Sequence, residues 1–229
     1  MKQLLLFGYF WLLAHSLAAQ IGITSTYRIN EAPGWRYANL VKGNEAALIG
    51  NSIGIGVDYW FRLKNYRVEF LPELNVQRFS GTYTTPDNAA PEVQNNVFSL
   101  FFNTNIYLLD FFGDCDCPTF SKQGRFFKKG FFVQLSPGVS YFEQQVQRFV
   151  SPDRSNDLAF SLGAGIGFDI GITDFVTFTP LLGARYYPKV TWESLQTNNG
   201  ELIPFRSTES ALTQWYAGAR LGLRFDYRR

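Results

Sequence analysis

The sequence predicts an all-β fold, an eight-stranded antiparallel up-and-down β-barrel that spans a membrane. Three observations predict it. Apolar residues recur at every second position over stretches of roughly 10 to 14 residues, where strands of soluble proteins have about five or six and a tilted strand crossing a bilayer needs about 9 to 11. Tight turns alternate with long polar connections. The chain is rich in aromatics, 23 Phe, 12 Tyr and 5 Trp, and aromatic residues cluster where the strands should meet the two interfaces.

The strands follow in chain order. The first covers about Gln20 to Ile29. The second, Ile53 to Arg62, is strictly alternating: Ile53, Ile55, Val57, Tyr59 and Phe61 face one way, while Gly54, Gly56, Asp58, Trp60 and Arg62 face the other. A helix does not show this period. The third, Tyr66 to Phe79, sets Val68, Phe70, Leu74 and Val76 outward and Arg67, Glu69, Glu73, Asn75 and Gln77 inward. The fourth is Val97 to Leu109, with Phe98, Leu100, Phe102, Ile106 and Leu108 outward, and the fifth is Phe131 to Glu143. The sixth, Leu158 to Gly171, alternates Leu158, Phe160, Leu162, Ala164, Ile166, Phe168 and Ile170 with small residues and Asp169. The seventh is Phe175 to Tyr187. The eighth runs from Trp215 to Tyr227, with Arg220, Arg224 and Asp226 on its polar face.

Ahead of these strands, Lys2, an apolar run from Leu4 to Ala14 and small residues at Ser16, Ala18 and Ala19 read as a secretory signal. Cleavage is expected after Ala19. Residues 1–19 are then the leader and 20–229 the barrel, about 210 residues in one domain. With both barrel termini in the periplasm, Lys64-Asn65 and Thr173-Asp174 are periplasmic turns. Asn30 to Ala47, Gly81 to Asn96, Gln144 to Asp157 and Pro188 to Thr213 are outer loops, the usual asymmetry of outer-membrane barrels. The 110–130 link breaks that economy, being a periplasmic connection far longer than a turn. Pro72, Pro137 and Pro180 fall on the lipid face of three strands. Bulges are expected to absorb them, because a closed barrel has no free edge. Aromatics mark both interfaces: Tyr59, Phe61, Tyr66, Phe111, Phe131, Phe175, Phe225 and Tyr227 on the periplasmic side, and Phe79, Phe98, Tyr141, Tyr186 and Trp215 on the outer side.

Composition narrows the chemistry. Of 21 basic residues one, Lys2, lies in the leader, and the rest nearly balance 19 acidic ones; nothing points to nucleic acid. The single His, His15, is also in the leader, which argues against Ser-His-Asp catalysis and His-based proton transfer. No enzyme activity and no cofactor is expected. Asp58, Arg62, Arg67, Glu69, Glu73, Asp169, Arg185, Arg220, Arg224 and Asp226 should face the lumen. A barrel of eight strands has an interior just wide enough for side chains. A salt-bridge network filling it is therefore the expectation, with an ion-conducting or ligand-binding interior as the alternative. In the link, Cys115 and Cys117 are candidates for a disulfide, which the periplasm permits. Metal binding is the weaker reading, since two thiolates lack a second pair. Lys122, Arg125, Lys128 and Lys129 form the one basic patch, a candidate docking element for lipid phosphates or another envelope protein, or else a solvated loop end.

The leader, the eight alternating strands and the aromatic C-terminus resemble the outer-membrane β-barrel superfamily that includes the OmpA-like transmembrane domain. The Ala19-Gln20 junction and the Phe-rich strands look like the PorT-like barrels of Bacteroidota. The resemblance covers the whole mature chain and rests on pattern, without a diagnostic motif. It implies residence in the cell outer membrane among its lipids, and a role in protein secretion or envelope assembly.

Overall fold

The computed structural model describes residues 20–39, 43–63, 66–84, 90–111, 130–147, 152–173, 175–196 and 205–224. The strands are β1 (Gln20–Glu31), β2 (Arg36–Asn39), β3 (Asn44–Ala47), β4 (Ser52–Tyr59), β5 (Phe61–Arg62), β6 (Val68–Thr82), β7 (Glu92–Ile106), β8 (Phe131–Val146), β9 (Asp153–Phe168), β10 (Ile170–Gly171), β11 (Val176–Thr191) and β12 (Glu209–Arg224). Around the wall the order is β1, β4, β6, β7, β8, β9, β11, β12, and β12 pairs back onto β1. Every pairing is antiparallel, and the result is a closed eight-stranded barrel. β5 and β10 are short continuations of β4 and β9, while β2 and β3 form a separate hairpin in the β1–β4 connection.

The alternation decides which face is which. Leu74, Leu158 and Ile53 are 69%, 68% and 61% exposed, whereas Asn75, Gln77 and Asp58 on the opposite parity are 3–4% exposed. All eight walls carry such outward apolar side chains, far more contiguous apolar surface than a water-soluble monomer shows. The steps from Leu158 to Phe168 cover about 33 Å along the strand and, at a tilt near 40°, about 25 Å along the axis, the height of a lipid-facing band.

The prolines are accommodated without bulges. Pro72 keeps its partner Phe102 on β7, but the ladder on its other side has no pairs opposite Pro72 and Leu71, and there the wall splits into β4 and β5 at Trp60. Pro180 keeps Ala219 on β12, and the opposite ladder opens at Asp169, between β9 and β10. Pro137 keeps Leu162 on β9, and the β7–β8 ladder skips Phe102 and Asn103. A proline lacks the N–H that one neighbour needs. The contact is lost locally, no residue is inserted, and the register is the same on both sides of each gap. The one register shift among the described ladders lies between Tyr187 and Val190, beside Pro188.

Several expected boundaries move. The second strand is not continuous to Arg62. The fourth ends at Ile106 and gives way to a 3₁₀ turn at Leu108–Asp110. At the outer end β6 to β9, β11 and β12 all run past the membrane, so the connections after β6, β8 and β11 are shorter than expected. There the phase of the alternation inverts. Val93, Val97, Phe142 and Val146 point inward and are buried, while Gln94, Asn96, Glu143 and Gln145 point outward. Phe79 belongs to this inward set: it is buried and is not an interface aromatic. With Trp35 and Leu48 from the first outer connection and Trp192 and Leu195 after β11, these side chains form an apolar core inside the outer mouth. The Trp35 and Trp192 rings meet edge-on at 5.2 Å.

Candidate functional site

Below that apolar core the lumen is filled by polar side chains in two tiers. The central tier is built around Arg28 of β1. Its Nε donates to Thr26 at 3.1 Å and its Nη2 to Asn75 at 2.9 Å, and Nη1 donates to Gln77. Asn75 and Asn103 both donate to Glu73, at 2.8 and 2.6 Å. Ser136 donates to Asn103 at 2.5 Å, and Arg185 donates to Ser136 at 2.7 Å. The Arg185 guanidinium lies 3.3 Å above the Phe101 ring, a desolvated cation–π contact. Gly56 makes room for this tier: a Cβ there would collide with the Glu73 carboxylate.

Among the described residues, the tier nearer the periplasm holds the ion pairs Arg220–Asp58 and Arg67–Asp110 and a tyrosine, Tyr107. Arg220 grips Asp58 with Nε at 2.7 Å and Nη2 at 2.5 Å. Arg67 pairs with Asp110, and its guanidinium sits 4.4 Å above the Tyr107 ring. The Tyr107 hydroxyl is within hydrogen-bond reach of Glu69 at 2.9 Å and of Asp169, which also accepts from Thr179. A cavity of about 30 Å³ between the tiers, bordered by Thr24, Glu73 and Tyr216, has room for about one water molecule.

Of the expected lumen charges, Asp58, Arg67, Glu69, Glu73, Asp169, Arg185 and Arg220 are buried inside. Arg62 stands half-buried at the rim, in register with Glu69. Asp226 and the side chain of Arg224 lie outside the described residues, as do Cys115, Cys117, Lys122, Arg125, Lys128 and Lys129. Among the described residues Arg28 and Arg185 are held by amides, hydroxyls and rings. Sequence reasoning missed Arg28, Asn103, Tyr107 and Asp110. Arg28 was within reach, since it shares the inward parity of Thr24 and Thr26. Asp110 was not, because the 3₁₀ turn that swings it under Arg67 has no periodic signature.

A closed barrel with an apolar outer band, a polar filled interior and both described termini at the short-turn end defines an integral outer-membrane β-barrel protein. No protein-family model and no curated protein sequence matches the chain. Solved structures with a similar trace include the attachment invasion locus protein Ail of Yersinia pestis, at 9% identity and a TM-score of 0.47, covering 90% of this chain and 100% of that one. Neisserial surface protein A aligns at 14% identity and a TM-score of 0.44, over 90% of this chain and 97% of its own. The outer-membrane protease OmpT of Escherichia coli aligns at 8% identity and a TM-score of 0.41, over 90% of this chain and 94% of its own. The assignment to the class rests on the ladder and the lipid-facing band rather than on these likenesses.

Proposed function

We propose that this barrel is a non-catalytic envelope component that docks another envelope protein at its periplasmic face, through the 110–130 link. The observation that carries this reading is the packing of the lumen: among the described residues, two tiers of hydrogen-bonded side chains and an apolar core occupy its length. That weighs against a small pore or an internal ligand site and moves the function to the surfaces. The absence of His beyond His15 supports a non-catalytic role.

The link's composition supports the docking role. Aromatic and basic residues together suit an interface, and Arg pairs readily with carboxylates. In the sequence, Lys122, Arg125, Lys128 and Lys129 are interspersed with Phe120, Phe126 and Phe127 and follow Cys115 and Cys117. At the entry to the link, Leu108 and Leu109 are exposed, as are Ile172 and Phe175 on a neighbouring periplasmic turn. A secretion or envelope-assembly role is what a resemblance to PorT-like barrels implies.

The test replaces Asp114 to Arg125 with Gly-Asn and compares the partners cross-linked in native membranes. A variant that folds but loses a partner held by the wild type is the expected result. A variant that folds and keeps every partner would overturn the docking role.

A further inference from the structure

On the outer wall of β6–β9 the residue rows are fixed by register. Val76, Phe98, Tyr141 and Leu158 form one register row across the four strands, all exposed and facing outward. The next outward-facing row toward the exterior is Arg78, Asn96, Glu143 and Asn156, and the one beyond it is Ser80, Gln94, Gln145 and Arg154. The change from hydrocarbon-compatible to fully polar occurs within a single step of the alternation on four adjacent strands. A cleft of about 360 Å³ lies over the β7–β9 part of the polar rows, with Arg154, Asn96 and Glu143 in its lining; Arg78 lies outside it, at the β6 end of the row.

We propose that this wall is a headgroup site for a phosphorylated glycolipid of the outer leaflet. A lipid whose acyl chains lie along the Val76 to Leu158 row and those below it must set its headgroup against the two polar rows. Their chemistry is that of a hydroxyl-rich, anionic group. Each carboxamide of Gln94, Asn96, Gln145 and Asn156 offers donors and acceptors together, as sugar hydroxyls require, and Glu143 accepts from further hydroxyls. Arg78 and Arg154 supply forked donors for phosphate. Arg154 makes no ion pair among the described residues. Arg78 spends one nitrogen on Gln94, at 2.7 Å, and keeps the rest of its fork. Elsewhere at the outer end Lys189 is already neutralised by Glu209 at 2.6 Å. A simple phospholipid would use the arginines and leave the carboxamide rows idle. A free glycan would leave the apolar row idle.

The test is native mass spectrometry of the refolded mature barrel in micelles. It is titrated separately with lipopolysaccharide, with phosphatidylglycerol and with dephosphorylated core oligosaccharide. The glycolipid should be retained in preference to the other two. Its affinity should fall about thirtyfold in the R78Q/R154Q double variant, as expected for two cations at a membrane surface, and stay unchanged in K189Q. Wild-type binding should weaken as ionic strength rises, a readout that needs no variant to fold. Equal retention of phosphatidylglycerol, equal retention of the free oligosaccharide, undiminished binding by the double variant or salt-independent binding would each overturn the proposal.

Discussion

Arg220 on β12 reaches across β1 to hold Asp58 on β4 with both arms of its fork, at 2.7 and 2.5 Å, through space left by Gly22. Gly22 is opposite Asp58 on one side and Gly222 on the other. A Cβ at Gly22 would meet both the guanidinium and the carboxylate. The pair therefore ties together three neighbouring walls at the seam where the first and last strands close the barrel.

Removing one member should strand the other in a low-dielectric interior. Asp58→Ala is expected to lower stability by about 3 to 5 kcal/mol, the usual cost of breaking a buried pair. The apolar double replacement D58L/R220M should lose much less. Urea unfolding in lipid vesicles measures both. Equal losses in the single and double variants would mean that the pair is not the cause.

Depth in the membrane should be readable by arginine substitution on the outer face. Leu162→Arg, near mid-band on β9, should cost about 2 to 4 kcal/mol, and Leu158→Arg, next to the polar rows, about 0 to 1. Equilibrium unfolding in vesicles gives the two values. A flat profile would show that the band is placed wrongly.

The three proline gaps predict a particular response. Pro72→Val and Pro180→Val restore an N–H where the ladder is open. Each variant should keep its register and show one newly protected amide at the substituted position in hydrogen exchange. A valine amide that exchanges as fast as a loop amide would show that the gap has another cause.

The leader is testable on the natural product. Mass spectrometry of the protein from purified outer membranes should give a chain starting at Gln20, the first residue of β1. A chain retaining residues 1–19 would contradict the reading of Ala19 as the cleavage site.

Strands and their facing were legible because a lipid-facing wall imposes period two with little exception, as from Leu158 to Phe168. What was not legible has two physical sources. The breaks at Trp60 and Asp169 are caused by Pro72 and Pro180 on neighbouring strands, so nothing within the broken strands announces them. The outer ends were cut short at Phe79, Val97 and Glu143 because the apolar phase inverts above the membrane. Water now bathes the outer face and the core lies within. By residue type Phe79 looks like an interface aromatic; by parity it continues the inward row of Asn75 and Gln77, and it is a core residue. In the lumen, charged residues were found by type and parity. The amides and rings that hold Arg28 and Arg185 depend on cross-barrel neighbours that a linear pattern does not reveal.

Single-channel recording in planar bilayers distinguishes a filled membrane-spanning barrel from an open one. The pure, refolded mature protein is predicted to insert without producing stable current steps. The R28A/R185A double variant, which empties the central tier, is predicted to produce leak events. Discrete, long-lived openings from the wild-type protein would mean that the lumen is open and that the barrel is a pore.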